Sequence, residues 1–500
     1  MEILSQSKTI NHEYCASIVK VSEVIPVENS DFLAYTMING KSIVVRKDEI
    51  SEGDILFYAD TETVLNEDFL GANNLYEASE FDRNSNASEV GKLLTSLATA
   101  STPEEKEKID SEIKTKTGFF TKQSRVRMIK LRGIPSMGFL FSKEAMMVWH
   151  PEVKDLNMED HIGEDFDTVC GDLFIKVYVP KLPETSGGRG FSQNRQKKVE
   201  RFDKIIPGQF FFHYDTQPLG KNISRINPTD IVCVSVKIHG TSAIYANILT
   251  KKPKEFKLPF EWLTKIVNKL HQMLPFKWQK IEEVYDLIYS SRNVIKNQYI
   301  NSSSIGGGYY KVDVWKEYCD LLKDYISEGM TVYGEIFGYE TNSQRAIQKE
   351  YDYGCQEGTN KFMPYRITTP GKEWEVSEVK EWTLELMKNH PEIADRLFPI
   401  DVLYEGSLEK LYPNLSKENH WHESVLQEMS NEKRWLMEKR EPLCKNKVPR
   451  EGVVLRIVGD PLKEAFKLKT NAFLLRERGL IDQGEVDPEM AQAYSEEEEI

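Results

Sequence analysis

The sequence predicts a two-domain α+β chain with a small β-barrel in front, and three observations predict it. Short strand-like runs open the chain at close spacing: Ala16 to Val21, Ala34 to Ile38, Ser42 to Val45 and Asp54 to Tyr58, with Asn39-Gly40 as a two-residue hairpin turn. Apolar strand patterns return much later, at 231–236 and 452–456, with an amphipathic helical pattern of Trp262, Ile266, Val267 and Leu270 between them. A length of 500 residues exceeds one ordinary domain, and a 40% hydrophobic content can fill more than one core.

The barrel is interrupted at about 66–116, a polar stretch with a helical segment from Glu104 to Lys114, read as a loop excursion. It resumes at Ser124 to Gly133. Arg125 and Arg127 alternate there with Val126 and Met128, until adjacent Met128 and Ile129 reverse the parity as a bulge does. Arg125, Arg127, Lys130 and Arg132 are thus candidate phosphate contacts, and four cations so close together favour a nucleic-acid surface over an ordinary solvated strand face. The expected boundaries are a first domain at 1–180, a basic Gly/Ser linker at 181–207 that includes Arg195, Lys197 and Lys198, a second domain at 208–476 with an insertion near 251–289, and an acidic tail at 477–500.

The net charge of −14 is unusual for a protein that grips phosphate, so local basic patches are expected to do the attracting. Six scattered cysteines, without a Cys-x-x-Cys pair, read as reduced and structural. No apolar run reaches membrane-spanning length and Met1 to Gln6 lacks a secretory pattern, so a soluble cytoplasmic protein without a membrane partner is expected.

Four motifs carry chemistry. Lys237-Ile238-His239-Gly240-Thr241 follows the apolar run 231–236, and a strand end is a rigid mount for a lysine nucleophile, with Gly240 allowing backbone to approach a phosphate. In Phe466-Lys467-Leu468-Lys469 the alternation puts both amines on one face and Leu468 in the core, and such cations disfavour a second positive charge on a nearby nucleophile. Glu335, within Tyr333 to Gly338, and Glu451, preceding Gly452 to Arg456, are carboxylates suited to Mg2+ or Mn2+, directly or through water. His239 is placed to contact a nucleotide or a 5′-phosphate, or equally to pack or hydrogen-bond structurally.

In this order and spacing the motifs resemble those of ATP-dependent RNA ligases of the covalent nucleotidyltransferase superfamily, over the chain up to about residue 476. Lys-Ile-His-Gly-Thr is similar to motif I of the RNA ligase 2 branch, and Arg125 to Gly133 looks like the amino-terminal OB domain of Deinococcus-type nick-sealing RNA ligases. The resemblance implies an OB-fold barrel followed by an adenylyltransferase domain of antiparallel sheets with flanking helices. It implies AMP attached to Lys237, motif III and IV glutamates at Glu335 and Glu451, motif V lysines at Lys467 and Lys469, and nucleotide contacts from His239 and Gly240. Arg292 matches the arginine that binds ribose and Phe362 the aromatic that lies against adenine. ATP with Mg2+ or Mn2+ is then required. The expected partner is nicked duplex RNA or an RNA/DNA hybrid with a 3′-hydroxyl RNA end and a 5′-phosphate, sealed by a monomer in RNA repair.

DNA ligases and capping guanylyltransferases usually carry a further OB domain after the transferase, and the 31 residues beyond Lys469 are too few for one. Nothing resembles the nicotinamide-recognising module of NAD-dependent ligases. The rival from another class is a non-catalytic OB-fold RNA-binding protein with a degenerate transferase domain, against which the intact lysine and glutamate set stands.

Overall fold

A computed structural model describes residues 2–8, 10–179, 202–212, 216–274, 278–300, 310, 312–415, 420–431, 435–437 and 440–482. Most of the expected linker and most of the expected acidic tail fall outside these residues. The chain divides into two compact units, Met1–Lys181 and Leu182–Ile500. Among the described residues no helix is long and apolar enough to cross a membrane.

The first unit runs β1 (Ala16–Lys20), β2 (Leu33–Ile38), β3 (Lys41–Arg46), β4 (Ile55–Ala59), α1 (Glu67–Ala72), α2 (Ala87–Thr99), α3 (Pro103–Lys116), β5 (Ile129–Leu131), β6 (Ile134–Ser136) and β7 (Phe139–Phe141), with shorter pieces between and after. The β2–β3 hairpin turns on Asn39 and Gly40, both at positive φ (51° and 77°), as its Asn-Gly signal requires. The strands form several small antiparallel sheets, β7–β4–β1 with Asp165–Phe166 being the widest, and among the described residues these ladders do not close into a barrel.

Two expectations for this unit need correction. The stretch 66–116 is helical and contributes to the core, because Phe69, Leu70 and Tyr76 are buried with Phe57, Phe141 and Phe166. α3 is started by Thr102, whose hydroxyl accepts from the Glu105 amide in a capping box, with Pro103 in the first turn. The basic strand expected over 124–133 is also much shorter. Only Ile129–Leu131 is a regular strand, paired with Ile134–Ser136, and Arg132-Gly133 forms the turn.

The second unit runs β8 (Ile231–Lys237), β9 (Thr241–Pro253), α4 (Glu261–Met273), β10 (Ile281–Ser290), α5 (Val314–Leu322), β11 (Thr331–Gly338), β12 (Asn360–Thr369), α6 (Val376–Asn389), β13 (Val402–Ser407), α7 (Trp421–Met429), β14 (Gly452–Ile457), β15 (Ala465–Lys469) and α8 (Asn471–Asp482). It contains two five-stranded sheets. One has the order Gln217–Pro218, β15, β14, β8, β13; the other has β10, β9, β11, β12, Lys372–Glu373. All pairings are antiparallel except that of Gln217–Pro218 with β15.

Three apolar clusters fix these layers. Val234, Leu455 and Phe466, aligned across β8, β14 and β15, pack with α7 residues Val425, Leu426 and Met429. Trp315, Tyr318, Ile336 and Phe362 pack between the second sheet and helices α5 and α6. A third cluster, including Cys233, Ile238, Phe337, Tyr353 and Met363, joins the two sheets. The chain passes from one sheet to the other through Ile238, His239 and Gly240, and Ile238 is buried in that third cluster. Residues 251–289 lengthen the β9–β10 hairpin, whose ladder runs from Ile244 opposite Ser290 to Pro253 opposite Ile281. The predicted amphipathic helix is α4, at the far end of this hairpin.

Gly452 sits where β14 meets β15, and a Cβ there would lie 2.0 Å from the Leu468 carbonyl oxygen. Gly452→Ala is therefore expected to spread the β14–β15 hairpin and lower the unfolding free energy by about 1–3 kcal/mol. A shift in the urea midpoint measures this, and an unshifted midpoint would contradict the close backbone approach.

Candidate active site

Strand register brings the motifs together. Lys237 is opposite Gly452, and Gly452 is opposite Lys469; two rungs along, Ser235 is opposite Val454 and Val454 opposite Lys467. Side chains two apart share a face, so Lys237, Lys467 and Lys469 point to one side of the sheet. Leu468 packs on the other side with Val453 and Leu455, as its alternation predicts. Gly452, lacking a side chain, leaves the middle of the Lys237–Lys469 row open.

Glu451 occupies the centre. Its Oε1 is 2.9 Å from Lys237 Nζ and 3.8 Å from Lys469 Nζ, and its Oε2 is 3.9 Å from His239 Nδ1. The carboxylate is buried whereas Lys237 and Lys469 keep about a quarter of their side-chain surface, at 25% and 24%. Burial alone would push the Glu451 carboxyl up, but Lys237, Lys469 and His239 together hold it below the usual carboxylate range. Lys237 is thus ion-paired with Glu451.

The segment that carries Lys237 is fastened on every side. The Gly240 amide donates to Glu335 Oε1 (3.1 Å), the Gly240 carbonyl accepts from Gln348 Nε2 (2.8 Å), and the His239 amide donates to the Tyr353 hydroxyl (2.7 Å). Glu335 is the half-buried residue in the otherwise buried strand β11. A Cβ on Gly240 would meet the Ile336 carbonyl oxygen at 2.3 Å, so the motif glycine is required for packing against β11. The His239 ring stands edge-on to Tyr351 and Phe473, each with centroids 5.0 Å away. Burial pushes the Tyr353 phenol well above its ordinary range, which keeps its oxygen an uncharged acceptor.

After β15 the chain turns at Thr470, whose hydroxyl donates to the Arg450 carbonyl (2.6 Å) and accepts from the Phe473 amide (3.1 Å) at the start of α8. This helix continues through Asp482 and places Glu477 Oε2 3.5 Å from Lys469 Nζ, so residues 477–482 belong to the fold and not to an acidic tail. Tyr351, Tyr353, Gln348, Phe473 and Glu477 were missed in the sequence. They reach the site from a loop and from α8 with no motif or periodicity to mark them.

The remaining candidates separate clearly. Phe362 is fully buried against Tyr245 and Tyr318, opposite Ile336 in register and facing α5 and α6. Glu335 is opposite Met363, one residue along and on the other face, so Phe362 is a core ring and the expectation that it stacks on a nucleotide is corrected. Met363 and Tyr365 pack in the cluster between the sheets instead. Arg292 is exposed just after β10, at the end of that strand where Ser290 pairs with Ile244 near the Lys237 segment. In the first unit Arg125 is also corrected: it is buried, 2.5 Å from Glu62 and over the Tyr178 ring, because this cation fills an internal ion pair. Arg127 is half-buried, and Lys130 and Arg132 are exposed, with Arg132 donating to the Asn29 carbonyl.

Glu451 Oε2 accepts no hydrogen bond among the described residues although it is buried. An orphaned carboxylate oxygen of this kind has the hard-donor chemistry that suits Mg2+ or Mn2+. Elsewhere, His12, Cys15 and Asp165, and His150, Glu152 and Cys170, each bring three potential ligand atoms within 4.8 Å of one another, groupings that sequence spacing did not reveal.

No protein-family model matches the chain, and no curated protein matches it. Solved structures similar to it include mutant Naegleria gruberi RNA ligase with AMP and Mn, at 16% identity and a TM-score of 0.49, covering 93% of this chain and 98% of that one. A mutant of that ligase with ATP and Mn is similar at 16% identity and 0.48, covering 92% and 98%. The same ligase with PPi is similar at 15% identity and 0.48, covering 93% and 99%.

Phe362→Ala is expected to cost about 3–5 kcal/mol of stability, as for other buried aromatics. An unchanged denaturation midpoint would return the ring to a ligand-facing role. Glu451→Gln should destabilise by about 2 kcal/mol or more at neutral pH by leaving Lys237 without its buried counter-ion. Because the folded carboxyl titrates below its unfolded value, its contribution is present above the unfolded value and lost as pH falls through the folded one. The difference between wild type and Glu451→Gln should accordingly shrink in acid, and a difference that stays constant down to the acid transition would refute the ion-pair assignment.

Proposed function

We propose that this chain is an ATP-dependent RNA ligase that works through covalent AMP on Lys237. The observation that carries this reading is the register-fixed cluster of Lys237, Glu451, Lys467 and Lys469, with one buried carboxylate joining the strand-end lysine to the paired strand. A merely solvated basic face would not hold a buried glutamate at its centre.

In the first step Lys237 Nζ, having lost a proton to solvent, attacks the α-phosphorus of ATP. An N–P bond forms and the bond to the pyrophosphate oxygen breaks. The AMP next passes to a 5′-phosphate, releasing the lysine; an RNA 3′-hydroxyl then displaces AMP and the strand is joined. Negative charge on the phosphoryl oxygens rises at each transfer, and Lys467 and Lys469 on the same face as Lys237 are the fixed cations that meet it. Mg2+ or Mn2+ bound by Glu451 and Glu335 would supply further charge neutralisation. Gly240 keeps the backbone open to a phosphate, His239 lies beside it for the nucleotide or the 5′-end, and Arg292 is the ribose contact.

The substrate in this reading is a nick in duplex RNA or an RNA/DNA hybrid, sealed in RNA repair in the manner of the Deinococcus-type ligases. The first unit acts as an OB-type nucleic-acid module through Arg127, Lys130 and Arg132. Two of these three are exposed on a tight hairpin, which supports the assignment.

Incubation with α-labelled ATP and Mg2+ or Mn2+, followed by peptide mapping, tests the proposal. Wild type should carry AMP on Lys237, Lys237→Arg should carry none, and Lys469→Ala should slow labelling by about 100-fold or more. Label on another residue would overturn the assignment of Lys237, and no label on folded protein free of prior AMP would replace this reading with a nucleic-acid-binding one.

A further inference from the structure

The amphipathic helix α4 is mounted inside out. Its polar residues face its own arm: Asn268 Oδ1 accepts from the Phe256 amide (2.8 Å), Thr264 Oγ1 accepts from the Leu258 amide (3.0 Å) and His271 Nε2 accepts from the Lys280 amide (2.8 Å). Thr264, Asn268 and His271 are spaced by four and three residues, one stripe of a helix. The opposite stripe, Trp262, Ile266 and Leu270, is 62%, 48% and 59% exposed. Phe260 and Leu274, flanking the helix, and Trp278 beyond it are exposed as well. A surface helix normally buries its apolar stripe and wets its polar one; here hydrogen bonds within the arm hold the reverse arrangement.

The charge of this arm also opposes that of the protein. Residues 251–281 contain eight lysines and two glutamates, with no arginine or aspartate, in a chain of net charge −14. Lys265 and Lys269 are exposed at the border of the apolar stripe, where their stems can lie along it while the amines reach past it. The arm's outer end is about 30 Å along the β9–β10 ladder from Ile244, well away from the Lys237 site.

We propose that α4 is a membrane-surface anchor, which lays Trp262, Ile266 and Leu270 into the interfacial region of an anionic bilayer while the lysines meet the headgroups. A sharp division between polar and apolar faces, indole rings and lysines bordering the apolar stripe are the properties of helices that lie on membranes without crossing them. Two copies joined through this stripe would bring two strongly positive arms together. Nucleic acid is held by cations and stacked rings, and has no use for the aliphatic Ile266 and Leu270 in line with Trp262. Such a tether needs no spanning helix, and none is present among the described residues, so the sequence-based expectation of no membrane partner gives way to this proposal.

The full chain mixed with vesicles of phosphatidylcholine containing about one third phosphatidylserine should co-sediment, and should bind pure phosphatidylcholine far more weakly. The triple variant Trp262→Ser, Ile266→Ser, Leu270→Ser should lose about tenfold or more of this partitioning with its melting temperature unchanged, since all three side chains are exposed. Lys265→Gln with Lys269→Gln should weaken binding several-fold and reduce its salt dependence. Brominated lipid should quench the wild-type tryptophan emission, which keeps the test decisive even if the triple variant folds poorly. Failure of wild type to bind anionic vesicles, absence of quenching, or equal partitioning of the triple variant would overturn the proposal. So would a wild-type dimer that the triple variant abolishes, or a loss of duplex-RNA affinity in that variant with vesicle binding retained.

Discussion

A single buried carboxylate organises the second unit. Glu451 lies inside the protein only because Lys237, Lys469 and His239 surround it, and each of those groups is held by a different structural device. Lys237 ends an interior strand of one sheet, Lys469 ends the strand two places away in that sheet, and His239 belongs to the segment leading into the other sheet. Removing the carboxylate would therefore leave three groups from three segments without their common partner. The ion pair is not where the unit's stability originates, since buried pairs gain little over apolar packing. Its contribution is to fix which atoms meet, and the three apolar clusters supply most of the driving force for folding.

The segment from Lys237 to Thr241 also links the sheets mechanically. Ile238 is buried between them while His239 and Gly240, which follow it, are tied to β11, Tyr353 and Gln348. A reacting group mounted there has little freedom to wander, the condition under which orientation contributes most to a transfer reaction. Gly240 is the residue that lets this backbone touch β11.

Local periodicity made much of this legible in the sequence. Alternation in Phe466 to Lys469 gave the correct face for both lysines, the Asn39-Gly40 turn gave its hairpin, and the spacing of Trp262, Ile266 and Leu270 gave a helix. What periodicity could not supply was the identity of the opposing surface. Arg125 reads as one more exposed cation until Glu62, far away in sequence, takes it inside. Phe362 and Met363 are equally apolar, and only the pairing of β12 with β11 decides which one shares a side with Glu335. Polar composition hid the core contribution of Phe69, Leu70 and Tyr76, and the helical pattern of α4 gave no sign that its apolar side would face outward.

The rung that sets Lys237, Gly452 and Lys469 in line constrains how the gene can change in length. A one-residue insertion within β14 or β15 would turn every later side chain of that strand to the opposite face, and in β15 it would exchange Lys469 for Leu468 at the site. The turn at 458–464 lies outside the paired segments and can absorb such changes without moving the register. The β9–β10 hairpin extends away from the same row and can grow at its far end for the same reason. Length variation should thus accumulate at these two tips while the spacing from Glu451 to Ile457 and from Ala465 to Lys469 stays fixed, a pattern of tolerance dictated by pleat geometry rather than by chemistry.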